Sequence, residues 1–331
     1  MPDALTDKMA RPATPAANPA PLANMRIILA GPRGFCAGVD RAIRVVEEAL
    51  RRYGAPVYVR HEIVHNRTVV EDLERQGAIF VEELDEVPAN AHVVFSAHGV
   101  PKSVPAEAQR RNLAYLDATC PLVSKVHREA ERHFIEQRHI LMIGHCGHPE
   151  VVGTMGQLPP GAVTLVQNAE EAELVQPSDS RLAFITQTTL SVDDTAEIID
   201  VLRRRFPHID GPRREDICYA TTNRQAAVKT IAASCDLLIV IGSPNSSNSQ
   251  RLREVAERAG AKRAVLVPKV SDLDFGILEG VATLGLTAGA SAPESLVQEV
   301  LAELGKRYHL EIEERQVTQE DVTFKLPYPL S

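Results

Sequence analysis

No run in this 331-residue chain approaches the roughly 18 consecutive apolar residues of a membrane helix, so a membrane-spanning role is not expected. Cysteine is scarce and odd in number. Five thiols in a long chain without a secretory leader argue for reduced cysteines rather than a disulfide framework. Positive charge is in deficit: 36 basic against 44 acidic residues leave a net charge of −8, which makes a nucleic-acid surface an unexpected partner. A local basic patch for a small acidic ligand stays compatible with that balance. The first 24 residues lack a continuous apolar core and carry two basic side chains, so they fit neither a signal nor a transit peptide. They read as a disordered tail over 1–24, rich in Ala and Pro, with the fold beginning at Met25 in a cytosolic protein. No stretch suggests a flavin or nicotinamide site, and GPRGFCAG (31–38) lacks the Gly-Lys-Ser/Thr ending of a phosphate loop.

What is present is an ordinary globular balance, 44% apolar and 24% charged, over a length sufficient for two or three domains. Short apolar runs alternate with amphipathic ones. RIILA (26–30), VYV (57–59), AIFV (78–81), HVVFSA (92–97), LMIG (141–144), LAFIT (182–186), LLIVIG (237–242), AVLV (264–267) and ATLGLT (282–287) read as strands. Helical spacing is expected over 39–53, 67–76, 121–137, 191–205, 222–234, 247–259 and 293–306. This alternation predicts α/β layers with parallel sheets. FSAHG, IGHCGHPE, ITQTT, IGSPNSSNS and TAGAS each follow a strand at its carboxyl end, where open α/β sheets place ligands. With HEIVHN they suggest one shared pocket.

Cys36, Cys120 and Cys218 stand 84 and 98 residues apart. Each is followed by a polar residue at a similar distance: His65 after 29, His148 after 28 and Ser246 after 28. A second polar position then follows in each segment, at His98, Thr188 and Ser291. A thiol–polar–polar pattern repeated three times predicts three similar units converging on one centre, with boundaries near 25–119, 120–217 and 218–331. Three converging thiolates make an incomplete soft ligand set, suited to a metal or iron–sulfur cluster with one open position. Three inert buried thiols satisfy the spacing equally well. Cys146 and Cys235 fall outside the phase and read as structural.

The strings GPRGFCAGVDRAI, HEIVHN, FSAHGV, DATCPLVSKVH, GHPEVVGTMGQ, ITQTTLSVDDT, DICYATTNRQ, GSPNSSNSQRL and TAGASAP, in this order between about Met25 and Arg307, closely resemble the LytB-type 4-hydroxy-3-methylbut-2-enyl diphosphate reductases. The resemblance implies a trefoil of three pseudo-symmetric α/β domains around a central [4Fe–4S] cluster held by Cys36, Cys120 and Cys218, with the fourth iron open. It implies reduction of an allylic alcohol diphosphate to isopentenyl and dimethylallyl diphosphates, the last step of the non-mevalonate isoprenoid pathway. Electrons would come from a ferredoxin or flavodoxin. It assigns His65, His98, His148, Thr188, Ser246, Ser247, Asn248 and Ser291 to substrate binding, and proton donation to Glu150. A helix-start carboxylate is the plainer reading of Glu150, and Ser/Asn clusters commonly serve as turns and caps.

HEIVH (61–65) also matches the H-E-x-x-H zinc signature, in which both histidines share one helical face. Here β-branched residues continue from a strand into the motif, which breaks that geometry. A zinc hydrolase using His61, Glu62 and His65 is therefore the first rival, and a non-enzymatic iron–sulfur redox sensor the second.

Overall fold

The computed structural model describes residues 22–177 and 181–330. Residues 1–21, and with them nearly all of the expected tail, lie outside the described residues. Ala23 and Asn24, also assigned to that tail, are instead the first residues of a strand, β1 (Ala23–Gly31).

One unit comprises α1 (Ala37–Tyr53), β2 (Val57–Arg60), α2 (Arg67–Gln76), β3 (Ala78–Val81), β4 (His92–Phe95), α3 (Ser103–Arg110) and β5 (Ala114–Asp117). Its parallel sheet runs β3-β2-β4-β5. The period-two alternation divides each strand between two layers. Val57, Val59 and Val94 pack on Val45, Val46 and Ala49 of α1, while Val93 and Phe95 meet Val104 and Ala108 of α3.

A second unit comprises α4 (Pro121–Ile135), β6 (His139–Ile143), α5 (Pro149–Met155), β7 (Val163–Val166), α6 (Ala169–Leu174), β8 (Leu182–Thr186) and α7 (Val192–Arg205), with sheet order β7-β6-β8. Ile140 and Met142 face Val126 and Ala130 of α4; Leu141 and Ile143 face Ile198 and Leu202 of α7. Residues 210–216 then run beside β8, where Asp210 pairs with Ala183 and the Asp216 carboxylate accepts the Thr186 N–H at 2.9 Å.

The third unit comprises α8 (Tyr219–Ile231), β9 (Leu237–Ile241), α9 (Ser247–Arg258), β10 (Ala264–Val267), β11 (Thr283–Ala288), α10 (Glu294–Gly305) and β12 (Tyr308–Gln316). Its sheet is β10-β9-β11-β1-β12, parallel throughout. β1 thus joins the carboxyl-terminal unit, although it was expected with 25–119. The reason is burial: Ile27 and Leu29 enter one core layer and Ile28 and Ala30 the other. A strand covered on both faces needs a central place, which β11 and β12 supply. Each of the three sheets closes a separate α/β unit, and the fold is a trefoil.

The segment after β12 crosses back to the first unit. Glu320 pairs with buried Arg224 of α8 at 3.0 Å, and Leu326 and Leu330 pack on the first unit's core. No helix among the described residues is long and apolar enough to cross a membrane.

Candidate active site

Each of the three phased cysteines lies on a seam between units. It follows a strand, or strand-like segment, of one sheet and stands at the N-terminus of the first helix of the next unit. Cys36 precedes α1, Cys120 precedes α4 and Cys218 precedes α8. One backbone bond then ties each cysteine to a neighbouring strand end. The N–H of Cys36 donates to Ala290 C=O at 3.2 Å, that of Cys120 to Ala97 C=O at 2.9 Å, and that of Cys218 to Thr188 C=O at 3.1 Å. Ala290 precedes Ser291 and Ala97 precedes His98, so each thiol is fastened to its second polar position. All three cysteines line one cavity.

The Cys120 and Cys218 sulfurs carry protons in the metal-free protein. Burial pushes the Cys120 thiol up to about 12 and Cys218 to about 11. Binding a soft metal removes such protons, and three convergent helix N-termini favour the negative charge left behind. Thr221 also lies in hydrogen-bond contact with Cys218 Sγ, 3.2 Å from its hydroxyl. Gly38 leaves room beside the thiols: a Cβ there would stand 2.6 Å from Cys120 Sγ and 3.8 Å from Cys36 Sγ.

Three imidazoles form another wall. The rings of His65 and His98 stack at 4.1 Å, and His148 stands edge-on to both at 5.7 and 6.0 Å. His148 caps α5, its Nδ1 accepting the Glu150 N–H at 3.2 Å, so its proton sits on Nε2. Burial lowers His148 to about 3 and holds His98 well below the usual histidine range, so both are neutral at pH 7. His65 Nδ1 is held by the Glu62 carboxylate at 3.0 Å, and Asn245 Nδ2 donates to the same carboxylate at 2.8 Å. His65 Nε2 is buried without a partner and belongs to a cavity-lining side chain.

Ser246, Ser247, Asn248 and Ser291 complete this side of the cavity. Ser246 caps α9 through the Ser249 N–H. Asn248 is braced at both ends, accepting the Ala290 N–H at 3.0 Å and donating to Thr221 at 3.2 Å. Ser291 donates to the His65 carbonyl at 3.0 Å. Among the described residues, no lysine or arginine lines this cavity.

Glu150, the second residue of α5, is 2% exposed. The Thr188 N–H donates to Oε1 at 2.6 Å, and the Thr188 hydroxyl meets Oε2 at 2.9 Å. Burial raises the carboxyl to about 7 against these bonds, with Asp216 adding to the rise. A buried carboxylic acid poised near neutrality beside three thiols can deliver a proton.

All twelve residues singled out from the sequence thus line one cavity. Sequence reasoning missed Thr221 and Asn245, and placed Glu62 only within the zinc motif. HEIVH is neither helix nor strand but the bend between β2 and α2. His61 sits in left-handed backbone, φ 60°, 3.6 Å from Glu82, while His65 lines the cavity. Cys235 is buried among core residues of the third unit, but Cys146 is exposed.

Fold and site together define a three-unit α/β protein whose seams bring three thiols and one buried acid to a common cavity. The LytB protein model matches residues 27–305, and the chain belongs to that family. A protein from Gluconobacter oxydans named 4-hydroxy-3-methylbut-2-enyl diphosphate reductase is 78% identical over 312 residues, covering 93% of each chain. One of the same name from Phenylobacterium zucineum is 64% identical, covering 93% of this chain and 98% of its own. The solved E-1-hydroxy-2-methyl-but-2-enyl-4-diphosphate reductase from Plasmodium falciparum superposes with a TM-score of 0.87 at 39% identity, covering 94% of this chain and 97% of its own.

Proposed function

We propose that the protein is a 4-hydroxy-3-methylbut-2-enyl diphosphate reductase, carrying out the terminal step of the non-mevalonate pathway. The observation that carries this reading is the meeting of three seam cysteines with a buried, near-neutral Glu150 in one cavity. Cys36, Cys120 and Cys218 would hold a [4Fe–4S] cluster. Such a cluster, when bound through three thiolates, supplies electrons and an open iron able to act as a Lewis acid.

The protein's own part is binding, orientation and proton delivery. His65, His98 and His148 with Ser246, Ser247, Asn248 and Ser291 receive the diphosphate. Among the described residues no lysine or arginine lines the cavity, so imidazole, hydroxyl and amide donors and the N–H groups opening α9 do this work. Ser291, which donates to the His65 carbonyl in the free protein, must turn its hydroxyl to serve an anion. Glu150 gives its proton to the departing or carbon end of the substrate, directly or through the Thr188 hydroxyl. Electrons come from a separate cytosolic carrier, a ferredoxin or flavodoxin.

Iron and sulfide counts on anaerobically purified protein, with visible and spin-resonance spectra with and without the allylic diphosphate, test the reading. A spectrum that changes on substrate addition supports it; a cluster indifferent to the diphosphate fits the redox sensor, and stoichiometric zinc with hydrolase activity fits the remaining rival.

A further inference from the structure

Each unit of the trefoil lies between two of the three cysteines, and in each unit one cation joins the two ends. In the first unit, Arg41 of α1 follows Cys36 by five positions. Its Nη1 donates to the carbonyls of Ala118 at 3.2 Å and Thr119 at 3.1 Å, the two residues before Cys120. In the second, Lys125 of α4 follows Cys120 by five positions. Its ammonium donates to the carbonyls of Arg214 and Glu215 and to the Asp216 carboxylate at 2.8 Å, just before Cys218. In the third, Arg224 of α8 follows Cys218 by six positions. Its Nη2 donates to the carbonyls of Gly34 at 2.7 Å and Phe35 at 3.3 Å, the two residues before Cys36.

These three braces close a ring. Arg224 is 0% and Arg41 7% exposed, so neither is a solvated surface charge. Two have a further acceptor that fixes them, Glu320 for Arg224 and the Lys325 carbonyl at 2.7 Å for Arg41, while Lys125 is fixed by the buried Asp216 itself. A structural cation would be expected wherever a unit happened to need one. Here all three instead leave the helix opened by one cysteine and grip the loop that ends at the next.

We infer that Arg41, Lys125 and Arg224 are positioning residues that fix the three edges of the sulfur triangle, each setting the separation of the two cysteines that bound its unit. The inference rests on the reading of those cysteines as a shared ligand set. It requires no contact between the cations and any bound group.

Lys125 is the most exposed of the three, with a side chain 25% exposed, but the Asp216 carboxylate it meets is buried, so its removal leaves that charge without its cation. The full-length Lys125→Met and Lys125→Arg variants are compared with the parent protein in three measurements. These are iron release from the anaerobic holoenzyme to a chelator, arsenite binding by the cluster-free chain, and the thermal melt. Arsenite takes three thiolates, whereas phenylarsine oxide takes two. Lys125→Met is expected to release iron at least tenfold faster and bind arsenite at least tenfold more weakly. Its melt should fall because buried Asp216 loses its cation, with Lys125→Arg restoring it, while its phenylarsine oxide affinity should stay within threefold of the parent. Lys125→Arg should restore arsenite binding to within threefold of the parent. Parental arsenite affinity in Lys125→Met overturns the inference. A fall in arsenite affinity matched by a collapsed melt that Lys125→Arg does not rescue also overturns it, in favour of a general folding role. If the parent itself holds no iron, the cluster reading fails, while the arsenite comparison still decides the ring.

Discussion

Thr188 engages Glu150 with both of its donors, the backbone N–H on Oε1 and the hydroxyl on Oε2, while its own carbonyl accepts the N–H of Cys218. One residue therefore places the acid relative to a thiol. Glu150→Gln keeps the shape and the bond to the Thr188 N–H but has no proton to give. Turnover with an artificial one-electron donor is expected to fall by about 10²–10⁴-fold in kcat, with iron content and KM little changed. Near-normal kcat with a lowered Tm would reduce Glu150 to a helix-start carboxylate.

The same residue predicts a pH dependence of stability. Its carboxyl sits at about 7 in the folded protein and near 4.5 in the unfolded chain. Below 4.5 both states are protonated and nothing is lost. As pH rises toward 7 only the unfolded chain ionises, so the protein loses stability, to a plateau above 7 of about 3 kcal/mol. Neutral His148, at about 3 against 6.5, acts oppositely: it lowers stability as pH falls below 6.5. Comparing cluster-free parent with Glu150→Gln by urea melts between pH 4.5 and 8 isolates the Glu150 contribution. The variant should gain relative stability as pH rises, and a difference that stays flat across this range refutes the assignment.

Glu62 holds the proton of His65 on Nδ1 and leaves Nε2 for the cavity. Glu62→Gln should raise KM about tenfold or more by loosening that ring, in line with a charge-assisted bond worth about 1.5–3 kcal/mol. His65→Ala should lose at least as much, whereas His61→Ala should retain substrate affinity. Equal losses at His61 and His65, with bound zinc, would restore the metal motif.

Cys36→Ser, Cys120→Ser and Cys218→Ser are each expected to impair cluster assembly severely, while Cys146→Ser and Cys235→Ser retain it. Iron and sulfide counts on the five variants check this. Full iron in any of the first three removes that residue from the ligand set.

Much of the site could be read from the chain because strand-end loops are short and local. A run such as LAFIT followed by QTT carries its own turn, so Thr188 is placed by residues beside it. What escaped reading depends on distant partners. β5 is the four-residue AYLD, ending in a charge, and becomes a strand by lying beside β4. β12, YHLEIEERQ, shows a polar edge-strand pattern, and only its pairing with β1 makes it sheet. Asn245 matters because it meets Glu62, 183 positions away in the chain. Glu62 itself was visible, but the zinc motif offered a local explanation that concealed its bond to His65.

The position of β1 between β11 and β12 also constrains how the protein can be made. As the chain leaves the ribosome, residues 23–31 emerge early, yet both of their strand partners, 283–288 and 308–316, arrive near the end of synthesis. The first cysteine translated is thus the last to reach its native anchor, since Ala290 follows most of the chain. Until then β1 presents two open edges, a pairing hazard for nascent chains. Delivery of iron and sulfide to a chain still being elongated would meet two thiols in place and the third adrift. Cofactor loading in this architecture is therefore expected to follow translation rather than accompany it.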